Sequence, residues 1–401
     1  MHLGLAALPL LAGAWTTRAG APTTADPVTA FRADLAAGRA ELEWEPRQGY
    51  LRSLLRGLRI DPASQVLVFS RTSLQSDQIT RANPRAIYFD GTTYVGYIPG
   101  APLIEIASVH PTKGIVFTTI PNTRPGPKRA SFATERDRCA HCHGGSAPNL
   151  FARSVHAAPS GYPRAFAPSF EMTPRLPLAK RWGGWYVTGQ HGAMRHMGNV
   201  VSEGTDERPR LDTERGANVT DLRPWVRIER YLTPHSDIAA LMAMEAQMDV
   251  QNAIVRAGLL SRPGVDGAPV TPEDLVEGGE PLVAALLGVG EAPLTAPVSG
   301  TSSFAEAYIR TAPEDDRGRS LAQLDLRTRL LRYPCHPLIY SPSFDALPAP
   351  ERAYVLRRLA AILTGADPGP HFAHLSPEDR AAVREILAAT KPEFARALAN
   401  R

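Results

Sequence analysis

The chain has 401 residues, of which 43% are hydrophobic and 21% are charged, so it can bury one or more sizeable cores and is not expected to be disordered. The net charge is only +4, and no basic run alternates with aromatic residues, which argues against nucleic-acid binding. Three cysteines are too few for the disulfide framework of a small secreted domain.

The N-terminus has the pattern of an export signal. Residues 1–14 are mainly apolar, and small residues and then polar, Pro-rich sequence follow. Such a pattern is typical of a secretion signal peptide, to which we assign residues 1–21, with cleavage after Ala14 or Ala21. No later segment reaches the roughly 18 apolar residues of a membrane span. We therefore expect a soluble periplasmic protein without an integral membrane span in the mature chain.

Residues 22–120 are predicted to contain an antiparallel sheet. Runs rich in β-branched and aromatic residues alternate with turn residues, and Asp90-Gly91 indicates a hairpin in which Gly91 has a positive φ. We expect about four strands from these runs. The runs are residues 65–70, 85–89, 93–98, 103–109 and 115–120.

The remainder divides into a loop-rich region, 121–233, and a helical region, 234–401. Residues 121–233 are rich in Pro, Gly and Arg and show little periodicity. A helix is predicted from a cap at Ser236, with Asp237 in its first turn, to about Gly258. Two more are predicted over 351–364 and 377–390, the first ending at Gly365. The expected class is therefore α+β.

One motif carries recognisable chemistry: Cys139-Ala140-His141-Cys142-His143. Its Cys-x-x-Cys-His spacing suits covalent haem attachment, because two thiols can add to the haem vinyl groups while the next imidazole reaches the iron. Cys139 and Cys142 would bind one haem c, and His143 would ligate its iron through one ring nitrogen. We expect a backbone carbonyl to hold the other nitrogen.

Two other uses of the cysteines remain open. A zinc site needs four nitrogen or sulfur ligands, and Cys335 lies almost two hundred positions from the motif. A redox dithiol is expected at the start of a helix within a βαβ pattern, which the sequence lacks. A zinc or dithiol structural protein is therefore the third hypothesis.

The motif resembles the haem-attachment motif of the cytochrome c superfamily. Three further strings resemble those of large, mostly uncharacterised bacterial proteins with a cytochrome c domain, and this likeness extends from about Gln65 onward. The resemblance implies haem binding and electron transfer with a redox partner protein of unknown identity. The strings are Arg181-Trp-Gly-Gly-Trp-Tyr-Val-Thr-Gly189, Arg195-His-Met-Gly-Asn199 and Arg332-Tyr-Pro-Cys335.

The resemblance also implies a methionine ligand downstream of the motif. Met197 is our first candidate for the sixth iron ligand, and His196 or His191 is the alternative; bis-imidazole ligation would lower the reduction potential. Arg181 and Arg195 could pair with the haem propionates. Trp182, Trp185 and Tyr186 could form an apolar wall around the porphyrin or pack elsewhere in the core.

The leading hypothesis is thus a periplasmic monohaem c-type cytochrome that transfers electrons. The second hypothesis is a haem enzyme or sensor with an open distal site, of peroxidase-like activity or small-gas binding, because the chain is much longer than electron transfer alone requires. No catalytic residue is assigned from the sequence.

Overall fold

The computed structural model describes residues 25–124, 131–135, 139, 143, 148–263, 267–366 and 369–400. The predicted signal peptide and Cys142 lie outside the described residues. Within them the class is α+β, as predicted, with an antiparallel sheet in the N-terminal part and most helices in the C-terminal part.

The main sheet is an antiparallel meander in which each strand pairs with the next along the chain. Among the described residues it has six strands rather than about four, since every predicted run forms a strand and a short edge strand is added. The strands are β1 (Val66–Val68), β2 (Arg85–Phe89), β3 (Thr93–Tyr97), β4 (Leu103–His110), β5 (Gly114–Pro121) and β6 (Ala133–Thr134).

The turn between β2 and β3 differs from the prediction. The Asp90 carboxylate accepts hydrogen bonds from the backbone N–H groups of Thr92 and Thr93, both at 2.8 Å. This Asx turn reverses the chain without a positive φ at Gly91. The positive φ occurs in the next hairpin, at Gly114, where φ is 76°.

Of the helices whose bounds the structure describes, two precede the sheet and the others follow residue 237. The first six in chain order are α1 (Pro27–Ala36), α2 (Leu51–Leu58), α3 (Ile238–Leu260), α4 (Pro272–Leu286), α5 (Phe304–Tyr308) and α6 (Pro342–Asp345). The last three are α7 (Ala349–Thr364), α8 (Pro377–Thr390) and α9 (Pro392–Ala399).

Helix α3 begins one residue later than the predicted cap. Asp237 is its N-cap, since its carboxylate accepts from the N–H of Ala239 at 2.8 Å. The Ser236 hydroxyl instead donates to the Tyr186 carbonyl and accepts from the Leu67 N–H. Ser236 therefore joins the start of α3 to the first strand of the sheet.

Three large hydrophobic clusters form most of the core of the described residues, and a small fourth one consists of Ile79, Ile98 and Ala101. One lies between a face of the sheet and the first half of α3, and includes Phe89, Tyr94 and Met242. A second covers the opposite sheet face with α1 and α2. A third joins the second half of α3 to α4 and to α6–α9. Helix α3 thus belongs to two clusters.

The described part of 121–233 is mostly irregular, as predicted. Besides the edge strand β6 and short helical pieces, its strands form two short ribbons, β7 (Arg153–Val155) with β8 (Ser169–Glu171), and β9 (Glu203–Gly204) with β10 (Pro209–Arg210). Among the described helices, none combines the length and the apolar composition that a membrane crossing requires.

Candidate functional site

The first cysteine and the histidine of the motif are both helical and half-buried. Cys139 and His143 are four positions apart, so a helical backbone places them on the same face, one turn from each other. Cys142, the other expected thioether residue, is not among the described residues. A thiol and an imidazole of the motif can therefore face one common ligand.

The ring of His143 is held by hydrogen bonds to Asn149, six residues further along the chain. Its Nδ1 lies 2.7 Å from the carbonyl oxygen of Asn149, and the Asn149 N–H donates to the His143 carbonyl at 2.8 Å. A carbonyl can only accept, so Nδ1 carries the proton and the lone pair is on Nε2. This is the hydrogen bond that the sequence analysis expected, and it prepares Nε2 for a metal.

Two phenylalanines hold the imidazole from the sides. The ring centroids of Phe117 and Phe151 lie 4.5 Å and 4.6 Å from that of His143, with interplanar angles of 45° and 42°. Burial lowers the pKa of His143 below its ordinary value, and the positive charge of Arg85 acts in the same direction. The ring is therefore neutral at pH 7, as a metal ligand must be.

The chain after the motif is attached to α3. The side-chain amide of Asn252 accepts from the Leu150 N–H at 2.8 Å and donates to the Leu150 carbonyl at 2.7 Å. Leu150 directly follows Asn149. The carbonyl that orients His143 is thereby fixed in position by a distant helix.

Next to Phe117, one face of the sheet is partly exposed. Arg85 forms an ion pair with Glu105 at 2.7 Å, and both charges are close enough to act on His143. Gly96 lies between them, because a Cβ there would be only 2.4 Å from Nη2 of Arg85. This charged pair was not singled out from the sequence, since only the register of β2, β3 and β4 brings the residues together.

Known proteins provide no further guide to this site. No family model, curated protein or solved structure matches the chain. Within the described ranges, no three His, Cys, Asp or Glu side chains are grouped as metal ligands. The functional interpretation therefore depends on the motif and on the surroundings of His143.

The two histidine candidates for the sixth ligand form a buried pair whose ring centroids are 4.8 Å apart. Nε2 of His191 accepts from the Asn218 N–H at 2.9 Å, and Nδ1 of His196 accepts from the Gly198 N–H at 3.0 Å. A neutral imidazole has one ring lone pair for such a bond, so the remaining nitrogen of each ring carries a proton. In this arrangement neither ring offers a lone pair to iron.

Met197 is also buried, at 5% exposure. Its sulfur accepts a weak hydrogen bond from the Ser154 hydroxyl at 3.7 Å, and its backbone N–H donates to the Arg181 carbonyl. A thioether sulfur has two lone pairs, so one remains available. No contact between described residues joins Met197 to His143.

The arginines considered for propionate binding have other partners. Arg181 is buried and donates to Glu245 at 2.9 Å and to the carbonyls of Leu176 and Pro174. Trp182 donates to the same carboxylate at 2.5 Å. Arg195 pairs with Glu214. These arginines and Trp182 belong to local packing, and the aromatic groups beside His143 are Phe117 and Phe151.

Cys335 lies in the helical cluster and is fully buried. Burial raises the pKa of its thiol to about 12, so it is protonated at pH 7. A thiolate is required for both zinc binding and thiol exchange. The environment of Cys335 favours a small packing residue over a reactive one.

Proposed function

We propose that this chain is a periplasmic monohaem c-type cytochrome that carries one haem c on Cys139 and Cys142 and transfers electrons to a redox partner protein. The observation that supports this most directly is the hydrogen bond from His143 Nδ1 to Asn149. It leaves Nε2 as the metal-binding nitrogen in a motif whose spacing suits thioether formation.

Each residue of the site has a distinct task in this proposal. Cys139 and Cys142 tether the porphyrin, and His143 binds the iron. Phe117 and Phe151 restrict rotation of the imidazole and cover part of its surface. The bound haem would supply an iron that accepts and releases one electron. Met197 is the first candidate for the sixth ligand because its sulfur retains a lone pair.

A second candidate function, a haem enzyme or sensor with an open distal site, is favoured by a separate observation. His191 and His196 use their lone pairs for backbone N–H groups, and Met197 accepts from Ser154. If none of these bonds is exchanged for iron, the distal position is open to a small molecule such as peroxide or a diatomic gas.

The experiment is expression of the full chain with periplasmic c-type maturation, followed by intact mass and a reduced-minus-oxidised spectrum. We expect the mass of one added haem, a c-type α band and a mature N-terminus after Ala14 or Ala21. Replacing both Cys139 and Cys142 by alanine should abolish the added mass, whereas Cys335→Ala should retain it. A wild-type protein without added haem contradicts the proposal.

The same preparation separates the two candidate functions. A low-spin ferric spectrum and no reaction with carbon monoxide in the ferrous state indicate a six-coordinate electron carrier. In that case Met197→Leu should create carbon monoxide binding. Rapid binding by the wild type instead supports the open distal site.

A further inference from the structure

One face of the sheet next to His143 is incompletely covered. Ile87 on β2, Ala107 on β4 and Phe117 on β5 are half-buried, although they pack against the cluster under α3. Ala107 is directly opposite Phe117 in the β4–β5 pair, and Phe117 contacts the His143 ring. The apolar part of this strip therefore begins at the proposed iron ligand.

Charged groups border the same strip. Ile87, Gly96 and Glu105 are consecutive partners across β2, β3 and β4, so they share one face of the sheet. The Arg85 side chain crosses Gly96 to reach Glu105. An apolar strip bordered by a guanidinium and a carboxylate has the character of a surface for a planar, apolar molecule whose own carboxylate pairs with the guanidinium.

Arg85 has unused hydrogen-bonding capacity. Its ion pair with Glu105 is made through Nη2, while Nε is buried and has no hydrogen-bond partner among the described residues. A guanidinium has five N–H donors in a planar fork that suits a carboxylate. The Glu105 carboxylate is shared, since Gln75 also donates to it at 3.0 Å. The guanidinium therefore has donors left for a second carboxylate.

We infer that the strip formed by Arg85, Ile87, Glu105, Ala107 and Phe117 is the surface on which the haem lies, and that Arg85 binds a haem propionate. This inference depends on the proposed function, because it needs a haem attached beside His143. Phe117 contacts the ligand imidazole, Ile87 and Ala107 contact the porphyrin, and Arg85 fixes its orientation through a carboxylate.

The test is the reduction potential of the matured protein in four variants, measured at one pH and ionic strength. Reduction adds one negative charge to the haem, so a nearby positive charge favours it. Arg85→Gln should lower the potential. Arg85→Lys keeps the positive charge, so its potential should stay close to that of the wild type. Glu105→Gln should raise it. Arg56→Gln, the control, should leave it unchanged, because Arg56 is an exposed side chain of α2 that pairs with Glu43, and α2 packs on the other face of the sheet.

Equal potentials in the wild type, Arg85→Gln and Glu105→Gln overturn the inference while the proposed function stands, provided that each carries haem by mass. If Arg85→Gln does not fold, an unchanged potential in Glu105→Gln alone overturns it. A wild type without haem overturns the proposed function and the inference together, and its mass identifies that case.

Discussion

Glu351 is a carboxyl group enclosed between helices. It is fully buried at the start of α7, and neither oxygen has a partner among the described residues. A Cβ at Gly279 of α4 would lie 3.1 Å from its Oε1, so the absence of a side chain there makes room for it. Burial raises the pKa of Glu351 to about 7. The folded protein therefore favours the protonated carboxyl.

Glu351→Gln should make the protein more stable at alkaline pH. The folded pKa lies above the ordinary value of 4.5, so the stability of the wild type is fully present below pH 4.5 and falls as the pH rises through about 7. At pH 8 the variant should gain about 1–3 kcal/mol in free energy of unfolding, and at pH 4 it should differ little. Urea denaturation between pH 4 and 8 measures the difference. A constant difference across this range would contradict the pKa shift.

The orientation of His143 shows what sequence reasoning can reach at the scale of a residue. The motif gives the two cysteines, the ligand imidazole and the need for an acceptor on Nδ1. It does not give the acceptor, Asn149, or the flanking ring of Phe117, because the latter comes from a strand that lies before the motif. The orphan Nε of Arg85 likewise depends on strand register.

At the scale of elements, α4 is one of several described helices that the sequence patterns did not predict; the others are α1, α2, α5, α6 and α9. Gly278, Gly279 and Pro281 interrupt its sequence, and each of these residue types disfavours a helix interior. The helix forms because its first turn is capped and because the glycines permit close contact with α3 and α7. By contrast, α8 was predicted correctly from the start signal Ser376-Pro377-Glu378-Asp379, and in the structure Ser376 and Asp379 form a capping box there.

Thr271→Ala should therefore destabilise the protein through α4. Thr271 Oγ1 accepts from the Asp274 N–H at 3.2 Å, and the Asp274 carboxylate accepts from the Thr271 N–H at 2.8 Å. Loss of the hydroxyl should lower the free energy of unfolding by about 1 kcal/mol. Thr271→Ser keeps the acceptor and should cost little in the same urea titration. Equal losses in both variants would show that the cap is not the cause.

At the scale of the molecule, α3 connects the sheet to the helical cluster. Met242 packs under the sheet and Ile254 packs among the C-terminal helices, within one uninterrupted helix. The class and the order of sheet, loops and helices could be predicted from local patterns. The sharing of α3 between two cores could not, because a helical pattern shows which residues are buried but not which elements cover them.

We expect these clusters to unfold together. Leu359→Ala on α7 removes a fully buried side chain and should cost about 2–5 kcal/mol. All five tryptophans precede α3 in the chain, so fluorescence reports on the N-terminal part and far-ultraviolet circular dichroism mainly on the helices. Both transitions should shift to lower urea by the same amount. The half-exposed Val276→Ala on α4 is the control.

A shift of the circular dichroism transition alone would show that the helical cluster unfolds separately. The two signals therefore distinguish one cooperative unit from two.

The side-chain amide of Asn252 forms two hydrogen bonds with the backbone of Leu150, one to its N–H and one to its carbonyl. A neighbouring β-strand would form the same pair. A single side chain on α3 thereby takes the place of a neighbouring strand at Leu150, directly after the residue that orients His143. The orientation of the His143 ring therefore depends on Asn252, which lies more than a hundred residues further along the chain, where no local motif would reveal it.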